Sequence, residues 1–216
     1  MKQEQETPIA PVAGATLLTA IDFYFDFSSP YGYLASEQID ALAARFGRQV
    51  NWHPVLLGAA FKITGAALPV RQPLKSEYFL RDFARSARYQ AVPFVQPMNF
   101  PLSTQHAARA FLWLHEQDAI AAKGLAHAIF RAYFTAGRDI DNIDTVLDIA
   151  SALGIPRAPL AEALAAVSLK ERLRHEMDRA LARGVFGSPF FIVDGEGFWG
   201  ADRLPQLERW LAEGGF

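Results

Sequence analysis

An apolar run, Ile21 to Phe27, passes through Ser28-Ser29-Pro30-Tyr31 into a helical pattern and then into a second apolar run, Val50 to Val55. That order constrains the fold more than any other feature. In the first run Ile21, Phe23, Phe25 and Phe27 alternate with Asp22, Tyr24 and Asp26. Aromatics at both parities predict a central strand covered on two faces. The helix that follows carries Ala35, Ile39, Leu42, Ala43 and Phe46 on one stripe and is expected to stop at Gly47. Strand, helix and strand make one right-handed crossover with parallel strands, and the Ser28/Ser29 turn then lies at a strand's carboxyl end, where open α/β sheets bind ligands.

A strand-to-helix turn presents a hydroxyl and unpaired backbone N–H groups, and the helix start favours negative charge. Ser before Pro is also ordinary capping chemistry. What separates the two readings is elsewhere in the chain. The stretch Gly184-Val185-Phe186-Gly187-Ser188-Pro189-Phe190-Phe191-Ile192-Val193 leads through Asp194-Gly195-Glu196-Gly197 to Phe198-Trp199-Gly200-Ala201-Asp202-Arg203-Leu204. It reads as a loop, a strand opened by proline, a Gly-containing hairpin turn, a second short strand and a capped helix.

Between about Pro73 and Arg183 the periodicity is helical. Ala107, Ala110, Phe111 and Leu114 form one stripe, Leu125, Ile129, Tyr133 and Phe134 a second, and Ile143, Val146, Leu147, Ala150 and Leu153 a third. Asp141 or Asn142 starts the third helix, and Gly154 with Pro156 ends it.

The chain resembles the 2-hydroxychromene-2-carboxylate isomerases. Three motifs in order carry the resemblance: Phe-Tyr-Phe-Asp-Phe-Ser-Ser-Pro-Tyr at 23 to 31, Gly-Ser-Pro at 187 to 189, and Trp-Gly-Ala-Asp-Arg-Leu at 199 to 204. These enzymes are related to kappa-class glutathione transferases within the DsbA-like thioredoxin superfamily. The resemblance spans Ala20 to Phe216 and implies an α/β, thioredoxin-like fold with a large all-helical insertion. Residues 20–72 plus 184–216 would form the thioredoxin-like domain, 73–183 the insertion, and 1–19 a flexible tail.

It also implies roles. Ser29 is expected to hydrogen-bond the sulfur of glutathione and favour its thiolate, without itself becoming the nucleophile. Ser188, before a cis Pro189, is expected to offer free N–H and C=O groups to the cysteinyl unit of the tripeptide. Trp199, Gly200 and Ala201 belong to the same glutathione-binding stretch; Ala201 stands where relatives often carry Asn or Ser, removing one hydrogen bond. Asp202 is expected to cap the last helix, to reach the γ-glutamyl amino group, or both. On the substrate side the matching positions are Lys62, in a loop rich in Leu, Gly, Ala and Phe, and Tyr89, with Asn99 and Arg71 as weaker candidates. The segment Gly65 to Gln72 departs from the family pattern.

Composition narrows the chemistry. Of 216 residues 51% are hydrophobic and 20% charged, enough to bury a core without covalent staples. A net charge of -2 with no basic stripe argues against nucleic-acid binding. With no cysteine, any thiol chemistry must use a thiol brought by a ligand. The five histidines, His53, His106, His115, His127 and His175, have no metal-ligand spacing, and Asp139, Asp141 and Asp144 lack the glycine and terminal glutamate of a calcium loop, so no metal is expected. Asp26, near the end of strand one, is expected to be buried, either proton-active or hydrogen-bonded to the turn.

Met1 to Glu6 lacks a positive amino end, and Pro11 and Gly14 break the stretch that follows, so neither a secretory signal nor a membrane span is expected. The resulting expectation is a cytoplasmic homodimer acting on a small aromatic carboxylate with glutathione as cofactor. Its reaction would be isomerisation of 2-hydroxychromene-2-carboxylate, or a similar aromatic hydroxy acid, to trans-o-hydroxybenzylidenepyruvate. A kappa-like transferase or peroxidase, or a thioredoxin-fold binding protein without catalysis, are the alternatives.

Overall fold

The computed structural model describes residues 19–65 and 67–216; apart from Thr19, the expected amino-terminal tail lies outside them. Strand β1 (Ile21–Phe25) pairs in parallel with β2 (Val50–Pro54) and antiparallel with β3 (Phe190–Val193), which pairs antiparallel with β4 (Glu196–Trp199). The strand order is β2-β1-β3-β4, so β1 is central, as its two-faced aromatic pattern requires. Asp194 and Gly195, at φ 53° and 86°, make the hairpin turn between β3 and β4.

Side chains alternate cleanly across the sheet. Phe23 and Phe25 on one face meet Trp52, Phe191, Phe111 and Phe130 at ring centroid distances of 5.0–5.7 Å, which ties β1 to the helical segment. Tyr24, Phe190 and Ile192 on the other face pack against Met177 and Ala180. On that second face the Asp22 carboxyl, though partly buried, is held well below the usual carboxylate range by hydrogen bonds from His53, Asn51 and Arg183.

The helix after the turn is broken in two: α1 (Pro30–Ser36) and α2 (Ile39–Arg45). Ser36 Oγ donates to Tyr33 O and Gln38 Nε2 to Leu34 O, so side chains take carbonyls of the last turn and the ladder stops. The expected stripe survives the break, with Ala35, Ile39, Leu42 and Ala43 buried and Gly47 at φ 64° ending the segment.

The stretch expected to be a loop around Lys62 is instead helix α3 (Leu57–Thr64), closed by Gly65 in the left-handed conformation. A 3-10 turn, Pro69–Arg71, follows. From Pro73 to Arg183 every regular element is helical: α4 (Lys75–Tyr89), α5 (Gln105–His115), α6 (Ala119–Phe134), α7 (Ile143–Ala152), α8 (Arg157–Ala165) and α9 (Val167–Ala182). The first two stripes are buried as the periodicity requires; Leu153, beyond the end of α7, is half exposed. One hydrophobic core runs from the sheet into α5, α6, α7 and α8, so the insertion is packed onto the sheet and shares its core. A second 3-10 turn, Ala201–Arg203, leads into α10 (Leu204–Glu213). No helix among the described residues is long and apolar enough to cross a membrane.

Candidate active site

Asp26 organises the turn. Its carboxylate is buried and accepts four hydrogen bonds: Oδ1 from Ser28 N, Ser28 Oγ and Thr104 Oγ1 at 2.8–3.0 Å, and Oδ2 from Leu57 N at 2.7 Å. Its own N–H donates to Ser188 Oγ at 2.9 Å. One residue therefore fixes the turn, the start of α3, the residue before α5 and the loop before β3. Burial pushes the Asp26 carboxyl up, against the lowering effect of those donors. The structural role expected for Asp26 is present; its partners Leu57 and Thr104 carried no local sequence signal.

Ser29 sits in this frame, 5% exposed, and caps α1 by accepting from Gly32 N at 3.0 Å. Its hydroxyl proton is directed at Ser188 O, 2.9 Å away. The Ser188–Pro189 bond is cis, and the two motifs separated by about 160 residues are thereby joined. Ser188 O thus already accepts from Ser29 and, with two lone pairs, keeps one for a further donor. Gly32 lets the parts approach: a Cβ there would stand 2.8 Å from Ser188 Oγ and 3.1 Å from Ser29 Cβ.

Ser28, Ser29 and Ser188 open onto a cleft of about 1460 Å³. One side is built from Phe186, Gly187, Trp199, Gly200, Ala201, Asp202 and Arg203; the other from Phe61 of α3 and Tyr78, Phe79, Asp82, Phe83, Ser86 and Tyr89 of α4. Phe186 and Trp199 meet edge to face at 4.9 Å, and Gly187 leaves room for the indole, since a Cβ there would lie 2.1 Å from Nε1. Gly200 adopts φ 116° and donates to Pro189 O, tying β4 to the cis proline.

Asp202 is largely exposed on the cleft rim and pairs with Arg203 at 3.6 Å. It does not cap α10, because the 3-10 turn places Arg203 at the cap position and no side chain fills it. Lys62 lies in the last turn of α3, exposed and outside the cleft lining. Its neighbours Phe61 and Thr64 face the cleft, so helical rotation points Lys62 elsewhere. Asn99 and Arg71 are also exposed and outside the lining; Asn99 offers its carbonyl to Tyr133 Oη at 2.7 Å. Tyr89 is on the lining but 89% exposed. The glutathione-side residues are thus brought together, except that Pro189 stands just behind the lining, while the substrate-side set is dispersed.

In its place α4 supplies Asp82, whose Oδ2 receives a short hydrogen bond from the Tyr31 hydroxyl. The signal available in the sequence was the helical spacing of Tyr78, Phe79, Asp82, Phe83 and Ser86, which sets one acid in an aromatic stripe.

Residues 20–212 match the family model for a DsbA-like thioredoxin domain. This chain belongs to that family. The DsbA-like chain is 31% identical over 195 residues to a 2-hydroxychromene-2-carboxylate isomerase of Sphingobium xenophagum, covering 89% of this chain and 98% of that protein. It is 28% identical to glutathione S-transferase kappa 2 of Caenorhabditis elegans, with 89% and 92% covered. Among solved structures it is similar to a 2-hydroxychromene-2-carboxylate isomerase at a TM-score of 0.80 and 26% identity, covering 90% of this chain and 95% of that one. Its relatives are thus isomerases and glutathione transferases, and the fold expected from the three motifs is the fold found.

Proposed function

We propose that this protein is a glutathione-dependent isomerase acting on 2-hydroxychromene-2-carboxylate or a similar aromatic hydroxy acid. The observation that carries the reading is the buried Ser29 hydroxyl, joined to the cis Ser188–Pro189 turn on the floor of an aromatic-walled cleft, in a chain that has no sulfur nucleophile of its own.

The reading gives each polar group of glutathione a partner in the cleft. Ser29 Oγ–H is a donor for a thiolate, and Ser188 O is an acceptor for the cysteinyl N–H. Asp202 and Arg203, paired with each other on the rim, would take an ammonium group and a carboxylate respectively. Trp199 and Phe186 supply apolar wall, with Pro189, Gly200 and Ala201 setting the backbone between them. With the tripeptide bound, the Ser29 hydroxyl would serve the sulfur in place of Ser188 O, and Ser188 O would accept the peptide N–H.

Glutathione would supply there a thiolate able to add reversibly to an electron-poor conjugated carbon and so free a double bond to rotate. Around it, Ser29 holds the sulfur in its anionic form, since a donor to the charged state lowers a thiol pKa. Asp26 keeps the turn in register, and the aromatic wall of α4 holds the substrate ring and limits water.

Two measurements test this. Thiolate absorbance of bound glutathione against pH should show ionisation below the free value in wild type, and a return to it in Ser29→Ala; normal ionisation in both proteins overturns the Ser29 mechanism. Product analysis then separates the reactions: isomerisation leaves total free glutathione unchanged, whereas a kappa-like transferase consumes it.

A further inference from the structure

The middle of the α4 wall contains one polar device. The Tyr31 hydroxyl donates to Asp82 Oδ2, and Asp82 is further bonded by Arg85 and, at 3.4 Å, by Ser86 Oγ. Around this pair the wall is aromatic: the Tyr31 ring meets Phe83 edge-on at 5.1 Å, and Phe83 meets Phe100 at 5.8 Å. Tyr31 is two residues from Ser29, and both line the same cleft.

A phenol has one proton, and here Asp82 holds it. The Tyr31 oxygen therefore offers a visitor only lone pairs, and its bond to a carboxylate makes it a better acceptor. The charged and titratable groups facing Tyr31 are Asp82 and Tyr78 of α4 and Asp202 of the 3-10 turn, with Arg85 bonded to both Asp82 and Tyr78. Burial first, and then Asp82, hold the phenol far above its usual range, so it stays protonated through the physiological range. At this point in the cleft a carbonyl or ether oxygen would face another acceptor, whereas a hydroxyl would be bound.

We propose that Tyr31, oriented by Asp82, is the specificity-determining group of the electrophile subsite, and that it selects aromatic electrophiles carrying a hydroxyl beside the reacting carbon. Tyr31 makes the contact; Asp82 is a positioning residue acting through it. The proposal rests on the glutathione-dependent reading of the same site.

The probes are 2-hydroxybenzylideneacetone and its 2-methoxy analogue, which differ at that oxygen alone. With glutathione each forms a sulfur–carbon bond as the carbon–carbon π bond breaks, and a proton from water completes the adduct; loss of enone absorbance reports the rate. A site built to bind a hydroxyl discriminates strongly against the analogue lacking it. Wild type is expected to prefer the hydroxy probe in kcat/KM by at least about tenfold beyond the uncatalysed ratio. In Tyr31→Phe that preference collapses to within about twofold of unity, the level left when no hydrogen bond distinguishes the probes. Asp82→Asn, whose amide oxygen still accepts from Tyr31, retains an intermediate preference. Wild-type-like ionisation of bound glutathione in both variants shows that the Ser29 site is intact. A preference that is absent in wild type, or unchanged in Tyr31→Phe, overturns the proposal. If wild type accelerates neither probe and bound glutathione ionises normally, the glutathione reading has failed and the subsite proposal falls with it.

Discussion

Replacing Gly32 by alanine crowds the junction of the two serine motifs without removing any functional group. The added Cβ would stand 2.8 Å from Ser188 Oγ, 3.1 Å from Ser29 Cβ and 3.3 Å from Ser29 Oγ. Ordinary helix propensity favours the substitution by about 0.5–1 kcal/mol. Against it stand an overpacking cost of about 1–3 kcal/mol and about 1 kcal/mol for the Asp26 N–Ser188 Oγ hydrogen bond when that hydroxyl is pushed aside. The balance is a net destabilisation of about 1–3 kcal/mol, read as a lower denaturation midpoint at unchanged slope. Ser188→Ala removes the atom that Cβ would strike, so the double variant should be more stable than the sum of the two single effects by about 1 kcal/mol or more. Gly32→Ala should also weaken glutathione binding, because Ser29 and Ser188 cannot both keep their positions. An alanine variant as stable as wild type, with wild-type glutathione affinity, would refute the reasoning from this contact.

Two further outcomes follow from the same geometry. Because burial raises the Asp26 carboxyl in the folded state, its contribution to stability is present below the unfolded value of about 4 and is lost as pH rises through the folded value. Asp26→Asn does not titrate, so wild type should lose stability relative to this variant between acid and neutral pH in denaturation curves; a pH-independent difference would show that the carboxyl is not shifted upward. Gly187→Ala forces the half-exposed Trp199 indole out of its place. Calorimetry should find glutathione affinity reduced severalfold; retained affinity would remove Trp199 from the binding wall.

How legible the molecule was depends on where each signal resides. Periodic stripes such as Leu125, Ile129 and Phe134 announce their helices because burial selects their spacing, and the doubly covered β1 announces itself through aromatics on both faces. The α3 helix was hidden because Leu57 to Thr64 begins without a side-chain cap and includes Gly58, which made the stretch around Lys62 read as a loop. The direction of the Ser29 proton could not be read at all, since Ser188 is its partner only after the sheet has brought β3 beside β1. Tyr31 and Asp82 are likewise 51 residues apart and meet through the packing of α1 on α4.

The five bonds that converge on Asp26 also bear on how the chain folds. Its partners Ser28, Leu57, Thr104 and Ser188 lie on segments far apart in sequence, two of them flanking the helical insertion and one at the start of α5 within it. A chain in which α5 has not docked lacks the Thr104 donor, and one in which β3 has not paired lacks Ser188. The first leaves the buried carboxylate one donor short, and the second leaves the Asp26 N–H without its acceptor; each costs about 1–3 kcal/mol as an unsatisfied buried group. The turn is therefore fully satisfied only when both the insertion and β3 have docked, so completion of the site is coupled to folding of the domain.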